Sequence, residues 1–281
     1  MFIHEYQAKS LLNRNQILIT EGKVITTIND ADSVLNTLPF KNYVIKAQIY
    51  GGGRGKACGI LTVDSKEEAL EYVKTILGKR LVTTQTGPSG RIVRTVLIEE
   101  KVNIEKEIYI SLTIDRKRAC PIVIVSPEGG IEIEKGKTFF EEDITSPMGL
   151  YPFQKRRLIY SLGLRESSDE FASLIEKLYR LFIKYDITLL EINPLAIDKM
   201  GRLVALDAKM SFDDNGLFRQ KEISDLYDPG ELDPLESEAQ KESLNYVKMD
   251  GNIGCLVNGA GLAMATIDLI DFYGGKATNF L

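Results

Sequence analysis

Residues 43–59 run Tyr-Val-Ile-Lys-Ala-Gln-Ile-Tyr-Gly-Gly-Gly-Arg-Gly-Lys-Ala-Cys-Gly. A β-rich apolar stretch carries one lysine, Lys46, directly into a glycine loop with two further cations, Arg54 and Lys56. Glycines let backbone approach a ligand closely and turn N–H groups toward an anion, and the cations neutralise its charge. That build suits a polyphosphate. It matches neither common nucleotide loop. Tyr50 stands where a Walker A loop needs its first glycine, Ala57 stands where Ser or Thr would hold the metal, and the G-x-G-x-x-G order is absent. The loop therefore acquires meaning only from partners elsewhere in the chain.

The 281 residues allow one large domain or two smaller ones. With 44% hydrophobic and 27% charged residues the composition is that of a globular protein. No apolar run approaches the roughly 18–20 residues of a membrane-spanning helix, and Met1–Ser10 contains no signal-peptide core. The net charge of −5 argues against non-specific nucleic-acid binding. Cys58, Cys120 and Cys255 lie far apart without a C-x-x-C pair, which reads as free thiols in a reducing cytosol and not as a zinc site. The single histidine, His4, opens the amphipathic stretch 3–13 and reads as a packing residue. A histidine-based step in this protein's chemistry must then draw on another chain.

Helix and strand signals alternate along the first third. A helix is expected at 3–13, an extended piece at 17–19, a helix from Asn29 or Asp30 to Leu38, strands at 43–49 and 60–63, and a helix from Ser65, its N-cap, to Leu77, ended by Gly78. Arg91–Glu99 reads as one strand. Lys106–Asp115 alternates, with Ile108, Ile110, Leu112 and Ile114 on one face, and pairs with 119–126 across a short turn. A short strand is expected near 131–134, helices at 153–162 and 168–185, and a hairpin of 187–197 with 203–206. A helix follows at 234–245. Asn252–Val257 then reads as a buried strand, Asn258–Gly261 as a tight turn and Leu262–Phe272 as a helix, the opening of a doubly wound domain. A complete domain of that kind needs ~100 or more residues, so the chain is expected to be truncated, with Ile253, Leu256, Leu262, Met264 and Leu269 exposed.

Three features join the glycine loop. Glu99 closes a β-rich run and Glu107 opens the next strand, so a strand-end carboxylate can accept from a ribose hydroxyl while the connector backbone pairs with an adenine edge. In Thr188–Leu195, Glu191 and Asn193 share one face of a strand, opposite Leu190 and Ile192. Asp207 ends Val204–Asp207. If the two strands pair, Asn193 and Asp207 converge, and a carboxylate with an amide oxygen on rigid strands suits Mg²⁺.

On these residues the chain resembles the β subunits of ADP-forming succinate–CoA ligases, which are ATP-grasp proteins. The stretches that carry the resemblance are His4–Lys9, Gly51–Lys56, Leu77–Val82, Leu190–Leu195, Leu217–Gln220 and Asp250–Met264, in the same order over the whole chain. The resemblance implies an α/β fold: an ATP-grasp nucleotide-binding domain at 1–240, then an incomplete CoA-ligase domain of flavodoxin or Rossmann type at 246–281. It implies that Lys46, Gly53, Arg54 and Gly55 bind the phosphates of ATP/ADP or GTP/GDP. Glu99, the backbone at Val102, and Glu107 would hold the rest of the nucleotide. Asn193 and Asp207 would coordinate Mg²⁺, Glu191 would meet a phosphohistidine loop of an α subunit that also carries the CoA site, and Asn258 would touch succinate. The implied setting is the tricarboxylic acid cycle, in bacterial cytoplasm or the mitochondrial matrix, in a heterodimer or heterotetramer. A malate–CoA or other acyl-CoA ligase, or a truncated non-catalytic nucleotide-binding product, stands as the alternative. Cys58 departs from the family's usual glycine and would be strained at positive φ; Val102 replaces a commoner Thr, which matters little for a backbone contact.

Overall fold

The computed structural model describes residues 1–130, 138–242 and 244–281. The chain divides into two compact units, Met1–Tyr227 and Asp228–Leu281. The short strand expected near 131–134 lies outside the described residues.

Apolar periodicity builds the first unit. Helix α1 (Glu5–Arg14) is followed by β1 (Gly22–Ile25), α2 (Ile28–Asn36), β2 (Tyr43–Gln48), β3 (Ile60–Val63), α3 (Lys66–Ile76), β4 (Arg80–Leu81), β5 (Arg91–Ile92) and β6 (Thr95–Glu100). Strands β1, β6, β2 and β3 form an antiparallel sheet in that order. Its β-branched positions Ile45, Val96 and Ile98 bury one face against Ala31 and Leu35 of α2 and Ala69 and Val73 of α3. Because side chains alternate across a strand, Lys46, Gln48 and Glu99 face the other way. Thr27 and Ser65 cap α2 and α3 by accepting the N–H of Asp30 and Glu68. The cap at Thr27 starts α2 two residues before the position expected from Asp30.

The run expected as one strand over 91–99 is broken. Val93 donates to Lys79 O at 2.8 Å and accepts from Gly78 N–H at 2.7 Å, extending the β4–β5 pair, and the chain joins the larger sheet only from Thr95.

The second sheet holds β7 (Ile104–Asp115), β8 (Cys120–Ser126), β9 (Phe140–Asp143), β10 (Ile187–Asp198), β11 (Leu203–Ala205) and β12 (Ala208–Phe212). Its order is β11-β10-β7-β8-β9, with β12 also on β10. Ile108, Ile110 and Leu112 are fully buried, as the alternation predicts, whereas Ile114, near the strand end, is exposed. They pack with α1, α4 (Pro152–Leu162) and α5 (Ser168–Lys184) through Leu11, Leu12, Leu158, Phe171 and Leu178. The short helix α6 (Lys221–Ser224) buries Ile223 in the same core.

The second unit contains α7 (Pro234–Lys241), β13 (Val247–Lys248), α8 (Ala260–Phe272) and β14 (Asn279–Phe280), with β13 antiparallel to β14. The strand expected at 252–257 is irregular backbone carrying one parallel bridge, Ile253 to Ala277. The Asn279 side chain takes the place of a ladder there: its Oδ1 accepts from Cys255 N–H at 2.9 Å and its Nδ2 donates to Cys255 O at 2.7 Å. Ile253, Leu256, Leu262, Met264 and Leu269 are exposed, and Ala263 is the one buried residue of α8.

Cys58 lies in the left-handed region, at φ 55°. A side chain there costs about 1–2 kcal/mol relative to the usual helical region. Cys58→Gly is therefore expected to leave stability unchanged or raise it by up to about 1 kcal/mol, the relief being offset by glycine's unfolded-state entropy. Cys58→Val is expected to lower it by about 1–2 kcal/mol; urea unfolding of the variants measures both.

Candidate functional site

Helix α1 places charged groups where its spacing would otherwise place apolar ones. Glu5, Ala8, Lys9 and Leu12 lie on its buried stripe. The Glu5 and Lys9 side chains lie over the face of the β1–β3 sheet that carries Lys46 and Glu99. Arg54 reaches the same volume from the glycine loop, and the strand break at Leu206–Asp207 closes it. Lys9, Lys46, Arg54, Glu5 and Glu99 are each less than a tenth exposed.

Within this volume the charges are paired one against another. Glu5 holds Lys46 Nζ through Oε1 at 2.7 Å and Arg54 Nη1 through Oε2 at 2.7 Å. Glu99 holds Lys46 through Oε2 at 2.8 Å and Lys9 through Oε1, which also accepts from the Thr20 hydroxyl at 2.6 Å. Both lysines donate to Leu206 O. Arg54 donates to Ala47 O at 3.0 Å and, through Nη2, to Asp207 Oδ2 at 2.7 Å. Gln48 Nε2 donates to Glu5 Oε2 at 3.2 Å. Burial alone would raise the Glu5 carboxyl, but Lys46, Arg54 and Lys9 together hold it well below the usual carboxylate range. Burial likewise works against the Lys46 ammonium, yet Glu5, Glu99 and Asp207 hold its pKa above the ordinary lysine value. Lys9 moves down, through burial and the neighbouring Lys46 charge.

The glycine loop is fitted against residues 83–86. Gly52 N–H donates to Gln85 Oε1 at 2.6 Å, and a Cβ on Gly52 would come within 2.7 Å of the Gln85 amide. Gly53 sits at φ +76° with Thr84 Oγ1 3.3 Å from where a Cβ would be. Gly55 follows Arg54 in the same turn. His4 is buried, with the Tyr50 ring at 4.7 Å between centroids.

The metal-ligand candidates come together through register. Strand β10 pairs Leu195 with Ala205 of β11 and Ile192 with Ala208 of β12. One register therefore runs through both pairs, and Asn193 and Asp207 occupy the facing positions between them. Asn193 Oδ1 accepts from Gly130 N–H at 2.6 Å. A Cβ on Gly130 would come within 2.6 Å of Glu107 Oε2, so Glu107 and Asn193 meet at this glycine. Glu191 faces Lys209 and Ser111 on the neighbouring strands. Burial pushes its carboxyl up, with Lys209 pulling it down and Asp207 adding to the rise. Val102 lies in the connector between β6 and β7, and its backbone makes no hydrogen bond among the described residues. Asn258 is exposed in the second unit, before the first turn of α8.

Lys46, Arg54, Glu99 and Asp207 thus share one cluster, and Glu107 and Asn193 another beside the same strand break. Glu99 is not a solvated strand-end acid: its carboxylate is an internal ion-pair partner. Sequence reasoning missed Glu5 and Lys9. The signal was the coincidence of their i,i+4 spacing with the apolar stripe of α1, which puts both charges on the inward face.

Because the Glu5 pKa is depressed on folding, its contribution is fully present above the unfolded carboxylate range near pH 4–5 and is lost as pH falls through the lower folded value. Stability is expected to fall progressively below about pH 5, and Glu5→Gln to flatten that slope; denaturant midpoints measured between pH 3 and 7 check this. Lys9→Met strips Glu99 of one buried partner and is expected to cost about 3–5 kcal/mol in the same assay.

Comparison with known proteins places the chain in a family. The ATP-grasp domain model matches residues 2–197. The chain is 47% identical, over its full length and 74% of the relative's, to the succinate–CoA ligase [ADP-forming] subunit beta of Chloroherpeton thalassium. It is 45% identical to the protein of that name from Staphylococcus saprophyticus, with the same coverage. Among solved structures, ATP citrate lyase from Methanothrix soehngenii, in complex with citrate and coenzyme A, superposes with a TM-score of 0.70 at 21% identity, over 99% of this chain and 71% of that one. The dinucleotide-forming acetyl-coenzyme A synthetase 1 of Ca. Korarchaeum cryptofilum gives 0.58 at 16%, over 75% and 93%; these two likenesses concern the α/β fold. Among the described residues no helix is long and apolar enough to cross a membrane. The chain belongs to the ATP-grasp family and, within it, to the β subunits of ADP-forming succinate–CoA ligases.

Proposed function

We propose that this chain is the nucleotide-handling subunit of a succinate–CoA ligase. With an α partner it interconverts succinate, CoA and a nucleoside triphosphate with succinyl-CoA, the nucleoside diphosphate and phosphate. One observation carries this reading: the Arg54–Asp207 contact joins the glycine loop to the strand end that bears a metal-ligand candidate, across 153 positions of sequence.

Lys46 and Arg54 bind the nucleotide phosphates, and Gly53 and Gly55 let the loop backbone approach them. The Val102 backbone, without a hydrogen bond among the described residues, offers a donor and an acceptor to a purine edge, and Glu99 and Glu107 flank the nucleoside. Asn193 and Asp207 offer an amide and a carboxylate oxygen, the hard donors that Mg²⁺ takes. Each already holds one protein donor, but an amide oxygen keeps a second lone pair and a carboxylate its other oxygen, so the set fits the ion. When bound, Mg²⁺ neutralises charge on the phosphates. Glu191, whose raised pKa reflects its half-buried site, positions the partner's phosphorylated histidine. Asn258 contacts the succinate side.

His4 is buried and is the chain's one histidine, so the phosphoryl group is passed to a histidine of the α subunit. Calorimetry with Mg·ADP and Mg·GDP is expected to show binding that Lys46→Ala and Asp207→Ala each weaken by at least about tenfold, the scale of one charge-assisted contact. Unchanged affinity in both variants would move the site elsewhere. The chain with an α subunit is expected to label a histidine of that subunit from γ-labelled ATP, and the chain alone to form no succinyl-CoA.

A further inference from the structure

The buried Lys46 ammonium donates to Glu5 Oε1 and to Leu206 O and lies 2.8 Å from Glu99 Oε2 as an ion pair. These three oxygens crowd an ammonium that is buried, so a phosphoryl oxygen reaches Lys46 by taking the place of one of them. Leu206 O is backbone, fixed where Leu206 N–H donates to Pro194 O. The Glu99 carboxylate also holds Lys9 and Thr20, so moving it breaks contacts to two further buried groups. Glu5 is different. Among the described residues its carboxylate holds, beyond Lys46 and Arg54, only the Gln48 amide, at 3.2 Å. Its two oxygens bridge the two cations at 2.7 Å each, as two non-bridging oxygens of one phosphoryl group would.

We propose that Glu5 is a further residue of the nucleotide site, an internal counter-anion that occupies the phosphate position between Lys46 and Arg54 and is exchanged for a phosphoryl group when nucleotide binds. The inference rests on the proposed nucleotide site and deepens it. In the ligand-free chain the volume holds three cations, Lys9, Lys46 and Arg54, against three carboxylates, Glu5, Glu99 and Asp207. The cluster is thus closed and balanced without a ligand. Removing the Glu5 charge leaves one positive charge in excess inside the fold. That weakens the ligand-free chain and strengthens its hold on an arriving phosphate, because the ligand then relieves the imbalance and displaces nothing charged. Damage to the fold alone would lower stability and affinity together.

The experiment is a thermal-shift and calorimetric comparison of the full chain with Glu5→Gln, using ADP and adenosine as ligands. Glu5→Gln is expected to melt lower without ligand, to gain a larger shift on adding ADP and to bind ADP about tenfold more tightly, the scale of one charge-assisted contact. Adenosine, which carries no phosphate, is expected to bind both chains equally. An unchanged or weaker ADP affinity in Glu5→Gln overturns the inference, and if Lys46→Ala still weakens ADP binding, the nucleotide site itself stands. A wild-type chain that ignores ADP, with Lys46→Ala no different, removes both. If Glu5→Gln does not fold, Glu5→Asp withdraws the carboxylate by one methylene. A smaller gain in ADP affinity then supports the exchange, and no gain overturns it.

Discussion

Carboxylates and cations sharing one almost dry volume under α1 tie the first unit together. Isolated, any one of these charges would be costly to bury; paired and hydrogen-bonded, they hold five separate pieces of backbone in register: α1, the 43–59 stretch, the end of β6, the segment around Thr20 and the 206–207 break. Such a cluster adds little net stability compared with a well-packed apolar core of the same volume. It supplies definition instead. Each ion pair is satisfied in one arrangement of the two sheets, and the Lys46 and Arg54 side chains are held at fixed separations by it.

The fold was legible wherever periodicity was clean. The alternation through Ile108, Ile110 and Leu112, the capping residue Ser65 and the hairpin between 187–198 and 203–205 all translate directly into β7, α3 and the β10–β11 pair. The misreadings share a cause, hydrogen bonds that strand propensity does not encode. Val93 is claimed by Gly78 and Lys79, which splits a run that looks continuous. Asn279 satisfies Cys255 with its side chain, interrupting the backbone hydrogen bonds that Ile253 and Val257 make to 276–281.

In the candidate site, the positions of the polar residues were legible and their partners less so. Asn193 and Asp207 follow from alternation plus hairpin pairing, and the register places them opposite each other. Lys46 and Arg54 stand out by composition. What a linear reading could not supply is the company they keep. Glu5 and Lys9 look like an ordinary solvent-facing i,i+4 pair until the stripe shared with Ala8 and Leu12 is weighed, and Gly130 gives no hint in sequence that it spaces Glu107 from Asn193.

The break between β11 and β12 has a consequence of its own. At Leu206 the backbone N–H stays paired with Pro194, while the carbonyl leaves the ladder and accepts from Lys9 and Lys46 together. A main-chain acceptor with two suitors is insured against the loss of either. Replacing one lysine removes a charge but strands no carbonyl, so this strand end keeps its backbone hydrogen bonding while the side chains around it vary. The carbonyl is thus covered twice, while the carboxylates of Glu5 and Glu99 depend on each lysine separately.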